Sequence, residues 1–141
     1  MPRSPRPRLP LAGEPILSSI DAIAVVSLAI HRPLEAETIA FFLDESSRSN
    51  TITVVSGTTD ADSILAVAEC MALAGARLPA VCGVVLATVR PDSLTLPGDI
   101  DRWLDASAIT ELHAIDLVEW FVVGPAGVEC PRALLGEPER W

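Results

Sequence analysis

The segment from Ala87 to Asp101, ATVRPDSLTLPGDID, concentrates the residues whose types and spacing could do chemistry. An apolar, β-branched run ends at Thr88 and Arg90. A loop bracketed by Pro91 and Pro97 follows, and Gly98 then leads into Asp99, Asp101 and Asp105. The acids Asp99, Asp101 and Asp105 raise the question of a hydrolytic metal. Such a site needs three protein ligands, an open position for water and a carboxylate base. The residues here supply it poorly. Thr88 is a weak neutral ligand, and Arg90 keeps a positive charge that would stand beside any cation. Asp99, Asp101 and Asp105 fall at i, i+2 and i+6, a spacing that does not converge on one helix face. An acid in a first helical turn also has an ordinary role, complementing the helix dipole.

The other reactive residues form no recognisable constellation. Cys70, Cys82 and Cys130 are odd in number and contain no Cys-x-x-Cys pair. They are expected to be reduced, mostly buried thiols rather than a disulfide frame or zinc site. His31 and His113 are the two histidines. His113, near a strand start, reads as a surface residue, and Glu69 as part of a solvated helix face. Gly57-Thr58-Thr59-Asp60 is a turn and cap, not a phosphate loop. There is no Gly-x-Ser-x-Gly nucleophile elbow.

The elements that must position these residues follow from periodicity and turn chemistry. Ser18 or Ser19 caps a helix running to about Ile30, with Ile20, Ile23, Ala24, Ser27 and Leu28 expected on its buried face. His31-Arg32-Pro33 ends it. Residues 38–43 and 51–55 read as strands of a hairpin around the turn cluster at 44–50. A second helix spans about Asp62 to Ala76, with Ile64, Leu65, Ala68, Met71 and Ala72 inward. Residues 80–88 form a strand buried on both faces. Gly98 or Asp99 opens a third helix that turns Ile100, Trp103, Leu104 and Ser107 to one side. Residues 116–123 and 128–130 are further strands around Gly124-Pro125 and Ala126-Gly127. The order α-β-β-α-β-α-β-β predicts one α/β domain, an α-β-α sandwich with a mixed sheet. Residues 1–13 read as a disordered arm rich in proline and arginine, and 14–141 as the domain.

The ligand-like segment resembles the signature of the RadC-like branch of the JAB (JAMM/MPN) metalloprotease family. There a strand enters His-Asn-His-Pro-Ser-Gly, and Pro-Ser-x-x-Asp opens the next helix. The two histidines and the aspartate hold zinc, and the serine supports the activated water. On that pattern Thr88 and Arg90 stand at the histidines, Gly98 at the serine and Asp101 at the aspartate, framed by Pro91 and Pro97. Leu43-Asp44-Glu45-Ser46-Ser47-Arg48 resembles the family's Leu-Asp-x-x-x-Arg turn. Gly57 matches a glycine after the second strand, and Glu119-Trp120 occupy an Asp-His pair in the last strand. The resemblance covers roughly residues 33–135 and implies a JAB, cytidine-deaminase-like sandwich. It implies vestigial metal positions at Thr88, Arg90, Gly98 and Asp101, with no metal, no cofactor and no catalytic residue. Ligands of one ion are neighbours, so Arg90 and Asp101 could bridge where zinc would sit; the alternative is Arg90 exposed to solvent.

Relatives with lost ligands serve as scaffolds, so the expected function is protein binding or assembly. A hydrolase of peptidase or isopeptidase type, using residual carboxylates or an atypical metal, is the alternative. A DNA-repair role is the second. Half the residues are hydrophobic, and mean hydropathy is +0.41. That apolar content is expected to reach the surface and support a homodimer or other protein partner, through Trp103, Trp120 and Trp141. No apolar run is long enough for a membrane span. The run from Ala22 to Ile30 lacks a following cleavage pattern, so a cytoplasmic location is expected. Residues 9–141 hold seven arginines against nineteen acids, a net −12. Such a body repels phosphates. Fluorescence anisotropy with duplex or branched DNA should therefore show no nanomolar affinity at physiological salt. Any weak binding should come from Arg3, Arg6 and Arg8 and fade as salt rises.

Overall fold

The apolar run at 80–88 becomes the strand on which the molecule is built. In the computed structural model, which describes residues 14–49 and 51–141, the elements are α1 (Ser19–Ala29), β1 (Glu37–Asp44), β2 (Ile52–Ser56), α2 (Ser63–Ala76), β3 (Val81–Val89), α3 (Asp99–Glu111), β4 (Asp116–Gly124), β5 (Gly127–Glu129) and α4 (Pro131–Leu135). The five strands form one mixed sheet in the order β2-β1-β3-β4-β5. β3 lies at its centre, antiparallel to β1 and parallel to β4. The parallel β3–α3–β4 crossover explains why β3 is apolar on both faces. Among the described residues, no helix is long and apolar enough to cross a membrane. The arm predicted for residues 1–13 lies outside the described residues.

Side-chain alternation divides the sheet between two cores. Ala40, Val84, Leu86, Leu117, Trp120 and Val122 face α2 and α3. Ile39, Phe41, Val85, Ala87, Val89 and Phe121 face α1. The expected α2 face is largely right: Ile64, Ala68, Met71 and Ala72 are buried and Leu65 is partly buried. In α3, Trp103 and Ser107 are buried, whereas Ile100 and Leu104 lie outward. The Ser18 cap is present, its hydroxyl accepting from the Asp21 N–H at 3.3 Å.

Three expectations are corrected. The buried face of α1 is Ala22, Val25 and Val26, while Ile20 is 81% exposed and Leu28 63%. This helix is apolar nearly all round, so hydrophobic spacing could not choose a face; the smaller side chains lie against the sheet. The thiols are not mostly buried. Cys70 sits on the outer side of α2 and Cys82 near the start of β3, both exposed, and Cys130 is intermediate. The segment after Cys130 forms α4, opened by Pro131 at a position that needs no N–H.

At Gly124 the end of β4 meets the 91–97 loop at van der Waals limit. A Cβ there would lie 2.2 Å from the Ser93 carbonyl oxygen and 2.9 Å from Leu94 Cδ2. The obstacle includes backbone, so the loop itself would have to move. Gly124→Ala should lower stability by roughly 1–3 kcal/mol. Urea unfolding should show this as a lower midpoint with an unchanged slope.

Candidate functional site

β3 delivers Arg90 to the start of α3. The Arg90 N–H donates to the Val123 carbonyl at 2.8 Å, extending the β3–β4 pairing past the strand end. After the loop, Gly98 takes a left-handed conformation (φ 89°) and Asp99 becomes the first residue of α3. The Arg90 guanidinium then grips the Asp99 carboxylate bidentately, Nη1 to Oδ2 at 2.6 Å and Nη2 to Oδ1 at 3.0 Å. Nη1 also donates to the Leu94 carbonyl at 2.8 Å. Asp99 accepts further bonds from the Leu96 N–H at 2.7 Å and from Arg102 Nη1 at 2.9 Å. Arg102 donates to the Pro97 carbonyl at 2.9 Å and, through Nε, to Asp62 at 2.8 Å. Arg90 also lies over the Trp120 ring, 5.9 Å from its centre.

Asp99 is 1% exposed. Burial alone would raise its carboxyl, but the bonds from Arg90, the Leu96 N–H and Arg102 outweigh it and hold the group below its usual 3.8. Beside it, the Thr88 hydroxyl accepts from Trp120 Nε1 at 2.9 Å. The result is a closed polar network. Arg90, Asp99 and Thr88 spend their hydrogen-bonding groups on one another and on their surroundings.

The structure thus brings together Thr88, Arg90 and Gly98, but not Asp101. The expected Arg90–Asp101 bridge is corrected to Arg90–Asp99, and Asp101 is exposed. Asp99 follows the left-handed Gly98 and points back to the strand end. Two residues further on is about 200° around the helix, which turns Asp101 away. The tryptophans expected at an interface are also corrected. Trp103 and Trp120 are fully buried. Trp141 folds back onto the α1-side core and donates to Ser19 Oγ at 3.1 Å. Arg140 covers the Trp103 ring at 4.6 Å. Glu69 is exposed, as expected, and His113 is half-buried.

Two groupings were missed from sequence. Glu119, fully buried, accepts from Arg132 Nε at 2.8 Å. An acid inside an apolar strand was the available signal that a cation must meet it. Next to this pair, burial and the Glu119 carboxylate push the Cys130 thiol up to about 12, so it stays protonated. The second grouping is His31, Glu35 and Glu37, whose donor atoms lie within 4.8 Å of one another. The hydrogen bond and charge of Glu37 raise the His31 imidazole above 6.5.

A cavity of about 250 Å³ lies beside the Arg90 network, lined by Thr58, Asp60, Thr88, Arg90 and Ser93 among others. A larger cleft of about 620 Å³ opens under α1, and Arg32 is the charged side chain in its otherwise neutral lining. That lining holds no carboxylate, histidine or thiol, and Ser27 contributes a hydroxyl with no base beside it in the lining. No protein-family model matches the chain, and no curated protein sequence matches it.

The network makes separable predictions. Arg90→Ala leaves a buried carboxylate short of its main partner and should cost about 3–5 kcal/mol. Asp101→Ala should stay within roughly 0.5 kcal/mol. Because the folded-state value of Asp99 is depressed, its contribution is complete above 3.8 and is lost as pH falls through the lower folded value. Urea unfolding stepped down in pH should show that loss in the native chain and a flatter acid limb in Arg90→Ala.

Proposed function

We propose that this chain is a non-catalytic domain of the RadC-like JAB (JAMM/MPN) type, a pseudoenzyme that works by protein binding or assembly. The observation that carries this reading is the bidentate Arg90–Asp99 pair. It fills the junction of strand end and helix start with a fixed cation and a fully committed carboxylate. A metal centre there would have to displace Arg90 and break the Trp120–Thr88 bond as well. The alternative, a hydrolase using residual carboxylates, draws no support from the same acids. Asp99 is consumed, and Asp101 and Asp105 are exposed. The acidic body likewise speaks against a DNA-repair role.

The surface that fits assembly is the outer side of α1. Ile20 and Leu28 are 81% and 63% exposed, and Leu17, just before the helix, is 64% exposed. An all-round apolar helix is the kind found buried on every side. We place a second copy of this chain on that face. Two such helices meeting across a two-fold axis cover each other with the same residues. A cytoplasmic location belongs to the same proposal.

Light scattering across a concentration series tests self-association. A dimer is expected, and Ile20→Glu with Leu28→Glu should return it to a monomer without loss of melting temperature. A native chain that stays monomeric at high micromolar concentration would exclude this interface. Elemental analysis of tag-free protein tests the vestigial site. Zinc that disappears on Asp101→Ala would overturn the pseudoenzyme reading.

A further inference from the structure

On the face opposite Thr88, one set of metal-type donors converges. His31, Glu35 and Glu37 bring an imidazole nitrogen and two carboxylate oxygens within 4.8 Å of one another. His31 and Glu35 lie in the turn between α1 and β1 and are exposed. Glu37 is the first residue of β1. Its backbone is registered on both sides, against Ser56 of β2 and Val89 of β3, so its position is fixed by the sheet. Thr38, not Glu37, is the register partner of Thr88. The group is therefore separate from the Arg90 network.

Glu37 is the anchored, buried member of this group. Its side chain is 1% exposed. One oxygen accepts from the His31 N–H at 2.9 Å, and the other meets His31 Nδ1 at 2.5 Å. Among the described residues no arginine pairs with it, in contrast to the buried acids Asp99 and Glu119. The chain has no lysine. A buried carboxylate without a permanent cation is costly. A bound divalent cation would supply a positive charge beside it through the same donor atoms.

We propose that His31, Glu35 and Glu37 form a binding site for a divalent transition metal of the zinc class, with water completing the coordination shell. One imidazole nitrogen with two carboxylate oxygens suits zinc or cobalt better than calcium or magnesium, which favour all-oxygen shells. Metal–ligand distances of about 2.0–2.2 Å require the His31–Glu37 contact to open slightly. His31 and Glu35, both exposed, can turn to allow it while Glu37 stays anchored. The exposed side is also the route of entry.

The test uses the full chain, without a His-tag and stripped with chelator, titrated with Co²⁺ and then with Zn²⁺. The expected result is a visible ligand-field band that saturates at one Co²⁺ per chain and is abolished by Zn²⁺. His31→Ala should remove the band. Glu35→Gln should weaken binding at least as much as the roughly 10-fold loss seen on removing a supporting partner. Glu35 is exposed and Glu37 does not depend on it, so Glu35→Gln should leave circular dichroism unchanged and keeps the test valid if His31→Ala, which strips the buried Glu37 of its partner, is destabilised. Asp101→Ala should leave the titration as it was. Absence of saturable Co²⁺ or Zn²⁺ binding overturns the proposal, as does equal binding by His31→Ala. Binding that depends on Asp101 instead overturns it together with the pseudoenzyme reading, which keeps the two failures distinguishable.

Discussion

The structure depends most on one constraint: a buried arginine at the end of the central strand must meet a buried aspartate at the start of the next helix. Desolvating a guanidinium and a carboxylate costs several kcal/mol per ion, and attraction offsets this only with good geometry and full hydrogen bonding. Both conditions are met here, since Asp99 accepts four bonds and Arg90 also satisfies the Leu94 carbonyl. The benefit is more in position than in net stability. The pair fixes where the loop crosses β4 and where α3 begins. Arg102 passes the same constraint to Asp62 at the start of α2. Gly124 permits it, because a side chain there would push the loop away.

That constraint divides the molecule functionally. On the α2–α3 face, polar groups are turned inward and joined to one another, and the rest is apolar packing around Trp103 and Trp120. On the α1 face the sheet is covered by a helix whose outer side is as apolar as its inner side. His31, paired with Glu37, and the exposed Glu35 lie just beyond its end. The exposed apolar side chains Ile20 and Leu28 lie on the face away from Arg90, whereas the exposed acids Glu69, Asp101 and Asp105 lie on α2 and α3. The lining of the 620 Å³ cleft under α1 is mostly apolar, with Arg32 as its charged side chain.

How much of this was legible in the sequence varied with the kind of signal. The order of elements and the central place of 81–89 were readable, because a strand buried on both faces has a composition unlike an amphipathic one. The α2 face was readable because Ile64, Ala68, Met71 and Ala72 recur at helical spacing, with Glu69 turned outward. The α1 face was not, since Ile20, Ile23, Val25, Val26 and Leu28 offer the same hydrophobicity in every direction. In the site, pairing of Arg90 with an acid of α3 was one of two readings, beside an Arg90 left in solvent. Its partner was misplaced by two residues, from Asp99 to Asp101. Motif spacing aligns positions along the chain. The left-handed turn at Gly98 decides which of two acids points back to the strand, and that depends on a backbone angle. Glu119–Arg132 and His31–Glu37 escaped because each joins residues whose meeting depends on a turn of the chain between them.

On the proposed reading, it matters that a cation rather than a small neutral residue stands at the strand end. A neutral replacement such as Thr88 alone would leave room, and nearby carboxylates could still gather around an ion. Arg90 removes both possibilities, since its charge opposes a metal and its planar fork binds the carboxylate an ion would need. Reversing it would take more than one exchange. Asp99 would be left with Arg102 and the Leu96 N–H, Thr88 would remain bound to Trp120, and Asp101 would still face solvent. Loss of metal chemistry is then a property of the network rather than of one side chain. The same network gives the fold a reason to keep Arg90 and Asp99 together that does not depend on catalysis.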